Sequence, residues 1–280
     1  MTPTPQSGRR WLVERVERGQ PLVWCGYGLS LAVAEAMAAV CRARGAPSYA
    51  LAPNEVQGRG RIAVAYLSRS ARDPGCRVDL LVTASGGSRP AWADEVIPVG
   101  DPDGGADPWL PLSYAHIVVQ ELARALELRT APLISPPRDL GVQPGLLLVE
   151  RHSPVVRSVL RAATDKLGAL PLDAMSSEEL GHGMHSQLWR QPEHWVVWLI
   201  SAVRDPSPTV RAWCEEVGVE VRELCLPDAG SDARYAIQLF DLALDVVASA
   251  AERQALSTTQ SSLPAMLDEL RSSHGSSRRG

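Results

Sequence analysis

The stretch PLVWCGYGLSLAVAEAMAAVCRARG, Pro21 to Gly45, followed by RIAVAYLSRS, Arg61 to Ser70, decides the fold class. PLVWCG and RIAVAYLS are short, β-rich apolar runs, and the alanine-rich segment between them reads as a helix that Gly45 ends. Strand, helix, strand at this spacing means parallel pairing with a helical crossover. VDLLVTAS (Val78 to Ser85) and EVIPV (Glu95 to Val99) continue as strands, and YAHIVVQELARALEL closes the first half as a helix. TAPLISPPRDLGVQPG, Thr130 to Gly145, is rich in Pro and Gly and reads as a linker. The same order then returns: GLLLVE (Gly145 to Glu150), a helix from about Pro154 to Leu167, HWVVWLI (His194 to Ile200), VEVRELCL (Val219 to Leu226), and a final helix, AIQLFDLALDVVASAAERQAL. The expected architecture is α/β with two similar lobes, each a parallel sheet flanked by helices. The expected bounds are 1–129, a linker over 130–144, a second lobe over 145–256, and a polar tail over 257–280 that reads as disordered.

Composition narrows the partners. With 280 residues, 45% hydrophobic and 21% charged, the chain is an ordinary globular protein. A net charge of -4 argues against a nucleic-acid surface, which needs clustered basic charge. The N-terminal MTPTPQSGRRWLVERVERGQ lacks the apolar core of a signal peptide, and no run is long and apolar enough for a membrane span, so a cytoplasmic location is expected. Five scattered cysteines with no C-x-x-C pair suit reduced thiols. Small molecules and other protein chains are the expected partners. Lys166 stands out because it is the only lysine among 28 Lys and Arg residues. A desolvated lysine can lose its proton, whereas an arginine cannot.

Three segments carry candidate chemistry. In CGYGLS, Gly26 and Gly28 allow a tight turn beside a ligand, and Ser30 sits near a helix N-terminus. Helix packing alone also accounts for such a turn. LSRSARD, Leu67 to Asp73, sets Ser68 and Ser70 at the end of the next strand, two residues apart on one expected face; a helix cap is the plainer alternative. SEELGHGMHSQLW, Ser177 to Trp189, offers His182 and His185 with Glu178 and Glu179 nearby. That set suits acid/base or structural histidines better than a metal centre, and neither a metal nor a cofactor is expected. Trp195 and Trp198 read as core residues. His152 and Ser153 occupy the second half's counterpart of the Gly-x-Gly turn, where the glycines are missing.

CGYGLS, LSRS, TASGGS and EELGHG occur in an order that resembles SIS (sugar isomerase) domain proteins. Residues from about 20 to 250 are similar to the double-SIS arrangement of the bifunctional phosphoglucose/phosphomannose isomerases. The resemblance implies two SIS-like lobes, a homodimer, and a sugar-like ligand held by Ser68, Ser70, Ser85 and Gly86. It also implies departures. The serine-rich turn has Ala71 in place of its glycine and Asp73 in place of its threonine, and an anion there repels a phosphate dianion. The family's Pro-Arg pair becomes Pro108-Trp109, an apolar surface instead of a charged donor. His182 keeps its Glu-x-x-His frame with Glu179. The position expected for the proton-shuttling Glu falls on Lys166, or on Asp165 with a one-residue shift.

Three functions follow from the resemblance. The first is a repurposed SIS enzyme in which His182 with Lys166 or Asp165 performs proton transfer, ring opening or imine chemistry on a sugar-like or polar metabolite. The second is ordinary phosphosugar aldose-ketose isomerisation with Asp165 as base, which requires Asp73 to turn away from the phosphate. The third is a non-catalytic ligand-binding module.

Overall fold

The computed structural model describes residues 5–56, 62–84, 89–100, 110–128, 140, 144–149, 151–167, 172–182, 190–201, 208–226 and 230–253. Two wholly parallel sheets organise them. β1 (Leu22–Cys25), β2 (Ser48–Leu51), β3 (Ala63–Leu67), β4 (Val78–Thr83) and β5 (Ala93–Pro98) pair in the order β2-β1-β3-β4-β5. β6 (Gly145–Val149), β7 (Leu172–Met175), β8 (Val196–Ser201) and β9 (Glu220–Cys225) pair in the order β7-β6-β8-β9. The helices are α1 (Pro5–Glu17), α2 (Leu29–Ala43), α3 (Pro53–Val56), α4 (Leu110–Ala125), α5 (Ser153–Leu167), α6 (Ser177–Gly181), α7 (Pro208–Val217) and α8 (Asp232–Arg253). No described helix is long and apolar enough to cross a membrane.

Strands buried on both faces read as continuous apolar runs, and LVWC and AVAYL are such strands. Trp24, Ala65, Leu67, Leu80 and Val82 turn to one side of the first sheet, and Val23, Cys25, Tyr66 and Leu81 to the other. The inner faces of both sheets share one core with α2, α4, α5 and α8. The halves are therefore joined by a common helical layer. α2 is buried over most of its surface, and Ala32, Ala34, Ala36, Ala38 and Ala39 keep it thin enough to pack against α4, α5 and α8. Leu140, within the Pro-rich segment read as a linker, is buried in this core.

Each strand read from the sequence is present. α1, β2, β7 and α7 were not anticipated: the two strands are four-residue edges without clear alternation. α1 lies on β5, where a Cβ at Gly8 would come within 2.6 Å of Val96 O. The tail beyond residue 253 lies outside the described residues.

Candidate active site at the carboxyl edge of the first sheet

In an open parallel sheet, ligands bind beyond the carboxyl ends of the strands where the strand order reverses, here between β1 and β3. The turns after these strands are CGYG and LSRS. Gly28 is left-handed, with φ 55, and no atom lies near its missing Cβ. Gly26 serves packing instead, since a Cβ there would sit 2.7 Å from Ser30 Cβ. The amides of Ser30 and Leu31 donate to the carbonyls of Tyr27 and Gly28, both at 3.0 Å, so the turn already occupies part of the α2 N-terminus.

The second turn is held in a similar way. Ser68 is buried, and its Oγ accepts from the Arg72 amide at 3.1 Å. Ser70 is exposed. The shared face expected from strand alternation is absent because β3 ends at Leu67 and the chain turns after it. Thr83, at the end of β4, is buried and donates through Oγ1 to Arg69 O at 2.9 Å, tying the turn to the sheet. Burial pushes the Tyr66 phenol pKa up, and its ring meets Trp92 edge-on at 6.0 Å. Thr83 and Tyr66 were not singled out from the sequence, where each looks like an ordinary strand residue. Asp73 is exposed, and its Oδ1 accepts the Gly75 amide at 2.7 Å in an Asx turn. No helix follows the LSRS turn before β4.

Glu179 is occupied structurally. Its Oε2 accepts from Arg157 Nη2 at 2.7 Å and from the Ser176 amide at 2.8 Å, while Ser176 Oγ accepts the Glu179 amide, a capping box that starts α6. The Arg157 guanidinium, with the Ser176 bonds, holds its carboxyl down at about 2. His182 ends α6 and is exposed.

α2 and α5 pack together. Asp165 and Lys166 lie in the last turn of α5. His182 follows α6, whose Glu179 holds Arg157 in the second turn of α5. Ser85, Gly86, Trp109 and His185 lie outside the described residues. Among the described residues there is no cluster of metal-ligating side chains.

No protein-family model and no curated protein matches the chain. Solved structures do. A candidate phosphosugar isomerase from Silicibacter pomeroyi DSS-3 is similar over 91% of this chain and 93% of its own, with a TM-score of 0.58 at 16% identity. Glucosamine-6-phosphate deaminase from Thermotoga maritima is similar over 89% and 94%, with a TM-score of 0.55 at 13% identity. A candidate sugar-binding protein from Salmonella typhimurium LT2 is similar over 88% and 93%, with a TM-score of 0.55 at 13% identity. At these identities the likeness is one of architecture, and it extends through both halves: the chain has a SIS-like fold.

Proposed function

We propose that the chain is a sugar-isomerase-fold enzyme acting on a small, sugar-like polar metabolite at the carboxyl edge of the first sheet. Its chemistry is proton transfer, ring opening or imine formation. The observation that carries this reading is the wholly parallel first sheet, whose strand order reverses between β1 and β3 where the CGYG and LSRS turns lie, beside the helix α2 against which α5 packs. A base there moves a proton between adjacent carbons of an open-chain sugar. A neutral Lys166 amine adds to the carbonyl and expels water as an imine, whereas Asp165 accepts and returns a carbon-bound proton. His182 assists ring opening, contributed by a second copy of the chain across the homodimer interface that the family resemblance implies. The enzyme is accordingly a homodimer, and a monomer by light scattering at micromolar concentration would refute that assembly. Solved structures that share the fold include proteins named for phosphosugar chemistry and for sugar binding, which supports the substrate class.

The deciding experiment incubates the chain in deuterated water with a panel of aldoses, ketoses and their phosphates, read by NMR. Deuterium incorporation at the carbon beside the carbonyl supports the enzyme. Binding without exchange supports the ligand-binding module, a reading favoured by the turns' internal hydrogen bonds. Turnover of phosphosugars alone supports the aldose-ketose isomerase, for which the outward Asx turn of Asp73 supplies the needed condition.

A further inference from the structure

The turn after β6 has the same length as the turn after β1. β1 ends at Cys25 and α2 opens at Leu29; β6 ends at Val149 and α5 opens at Ser153, the same number of residues later. The last residue of each turn is left-handed, Gly28 with φ 55 and His152 with φ 63. Glycine takes that conformation without strain and histidine does not. Strain of this kind is retained where a side chain is needed, and functional sites are where it collects.

The imidazole of His152 meets the start of α8. Its Nε2 lies 3.0 Å from Oδ2 of Asp232, the first residue of α8. Arg151 Nη1 lies 3.0 Å from Asp232 Oδ1. The Tyr235 ring lies 6.3 Å from the imidazole and 5.9 Å from the Arg151 guanidinium, and the tyrosine hydroxyl donates to Ile200 O on β8 at 3.1 Å. These groups meet over the ends of β6 and β8, the second sheet's own point of strand-order reversal. His152 Nε2 and Asp232 Oδ1 are buried without an aligned hydrogen bond among the described residues. Burial is the main influence on the His152 pKa and lowers it; Asp232 opposes burial, while Arg42 and Arg151 add to the lowering. The imidazole is therefore neutral at neutral pH. With Nε2 directed at the carboxylate, Nδ1 is the nitrogen left to accept a proton from outside. The Arg151 side chain stays 62% exposed, and a guanidinium has donors to spare beyond those facing Asp232.

We propose that the carboxyl edge of the second sheet is a second small-molecule site that takes a small hydroxylated anion, with Arg151 meeting the anionic group and His152, oriented by Asp232, accepting a hydroxyl hydrogen bond. This site is separate from the edge where Ser68 and Ser70 lie and does not rest on the function proposed there.

The test titrates the full chain, labelled in its histidine imidazoles, with glycerol 3-phosphate, glycerate and glycerol. Both anions shift the His152 resonance and raise its pKa, glycerol does neither, and the anion that saturates at the lower concentration identifies the head group as phosphate or carboxylate. Calorimetry gives binding at least tenfold weaker in Arg151→Met. His152→Gly places glycine in the left-handed position, as at Gly28, so its melting temperature equals or exceeds the wild type while anion binding is lost. Ser68→Ala leaves the His152 response intact. The proposal is overturned by no response to either anion at about 10 mM, by glycerol acting as well as the anions, or by a His152→Gly protein that binds normally. A clearly less stable His152→Gly protein also overturns it, since the imidazole would then be structural.

Discussion

His116 on α4 and Asp241 on α8 meet across the helical layer that joins the two sheets, Nδ1 to Oδ1, at 2.9 Å. Gln120 Nε2 donates to the other oxygen of Asp241 at 2.9 Å, and the aspartate side chain is only 8% exposed. The hydrogen bond to Asp241 raises the His116 pKa above its ordinary 6.5, against the effect of burial. Burial raises Asp241 and Asp245 as well. The folded chain thus holds protons that the unfolded chain releases. The His116 contribution is complete below the unfolded pKa and is lost as pH rises through the folded value. His116→Gln should therefore cost about 1 kcal/mol near pH 6 and progressively less in alkali. His152 is shifted the other way but is common to both proteins, so it cancels in the difference. Denaturant unfolding of both proteins across this range measures the gap, and a gap independent of pH would refute the assignment.

Gly26 and Gly28 are two residues apart but fail differently when alanine is introduced. At Gly26 the new Cβ meets Ser30 Cβ and backbone carbon at 2.7 Å, so the start of α2 has to shift. That overpacking costs about 1–3 kcal/mol. At Gly28 the space is open and only the left-handed backbone opposes the change, costing about 1 kcal/mol. Chemical denaturation midpoints should rank Gly26→Ala below Gly28→Ala, and the reverse order would show that the close approach to Ser30 is not what requires glycine.

Ser68 and Ser70 separate binding from folding. Both are proposed to contact ligand, and losing either hydroxyl should weaken binding by about 1 kcal/mol. Ser68 also holds the Arg72 amide from a buried position, whereas Ser70 is exposed. Ser68→Ala should lower the melting temperature together with affinity, and Ser70→Ala should lower affinity alone. Unchanged affinity in both variants places the ligand elsewhere.

The parallel fold was legible because buried strands leave continuous apolar runs such as LVWC and LLLV, and because an alanine-rich helix separates the first two of them. The joining of the two lobes through one helical core was not. Apolar faces on α2 and α5 look alike whether they cover their own sheet or each other, so a shared helical core leaves no distinct periodicity. The CGYG and LSRS turns fall at the carboxyl edge of the first sheet, as the strand order in the sequence led one to expect, but side-chain commitments were hidden. Nothing in the sequence showed that Ser176 and Arg157 would both bond Oε2 of Glu179, or that Asp73 would accept the Gly75 amide. The left-handed turn at His152 was equally hidden, since its partner Asp232 lies far away in sequence.

Glu179 should matter for stability more than for ligand affinity. Its pKa, held down at about 2 by Arg157 and the Ser176 bonds, gives a stabilising contribution that is present above the unfolded value of 4.5 and is lost as pH falls through the folded value. Glu179→Gln keeps the shape but weakens the cap and the Arg157 pair, at about 1 kcal/mol near neutral pH. Thermal unfolding of both proteins should converge on acidification. If Glu179→Gln instead melts like the wild type and loses ligand, the carboxylate belongs to the site.

Lys166 is where the reaction can be divided into its alternatives. Asp165 and Lys166 are neighbours in the last turn of α5, which packs on α2. A lysine that takes protons or forms an imine must be partly desolvated, with a lowered pKa that leaves a useful fraction neutral. Lys166→Arg keeps the charge without a deprotonatable amine, and Lys166→Met keeps length without charge. If the amine is the reacting group, both variants lose at least a hundredfold in solvent-deuterium exchange, the scale of a lost general base. An active Arg variant leaves Lys166 only an electrostatic role. Borohydride reduction with substrate present checks the covalent route, because an imine on the chain's single lysine leaves one mass adduct at a known position. Asp165→Asn completes the comparison. Loss of exchange there, with Lys166→Met still active, assigns the proton shuttle to the shortened carboxylate.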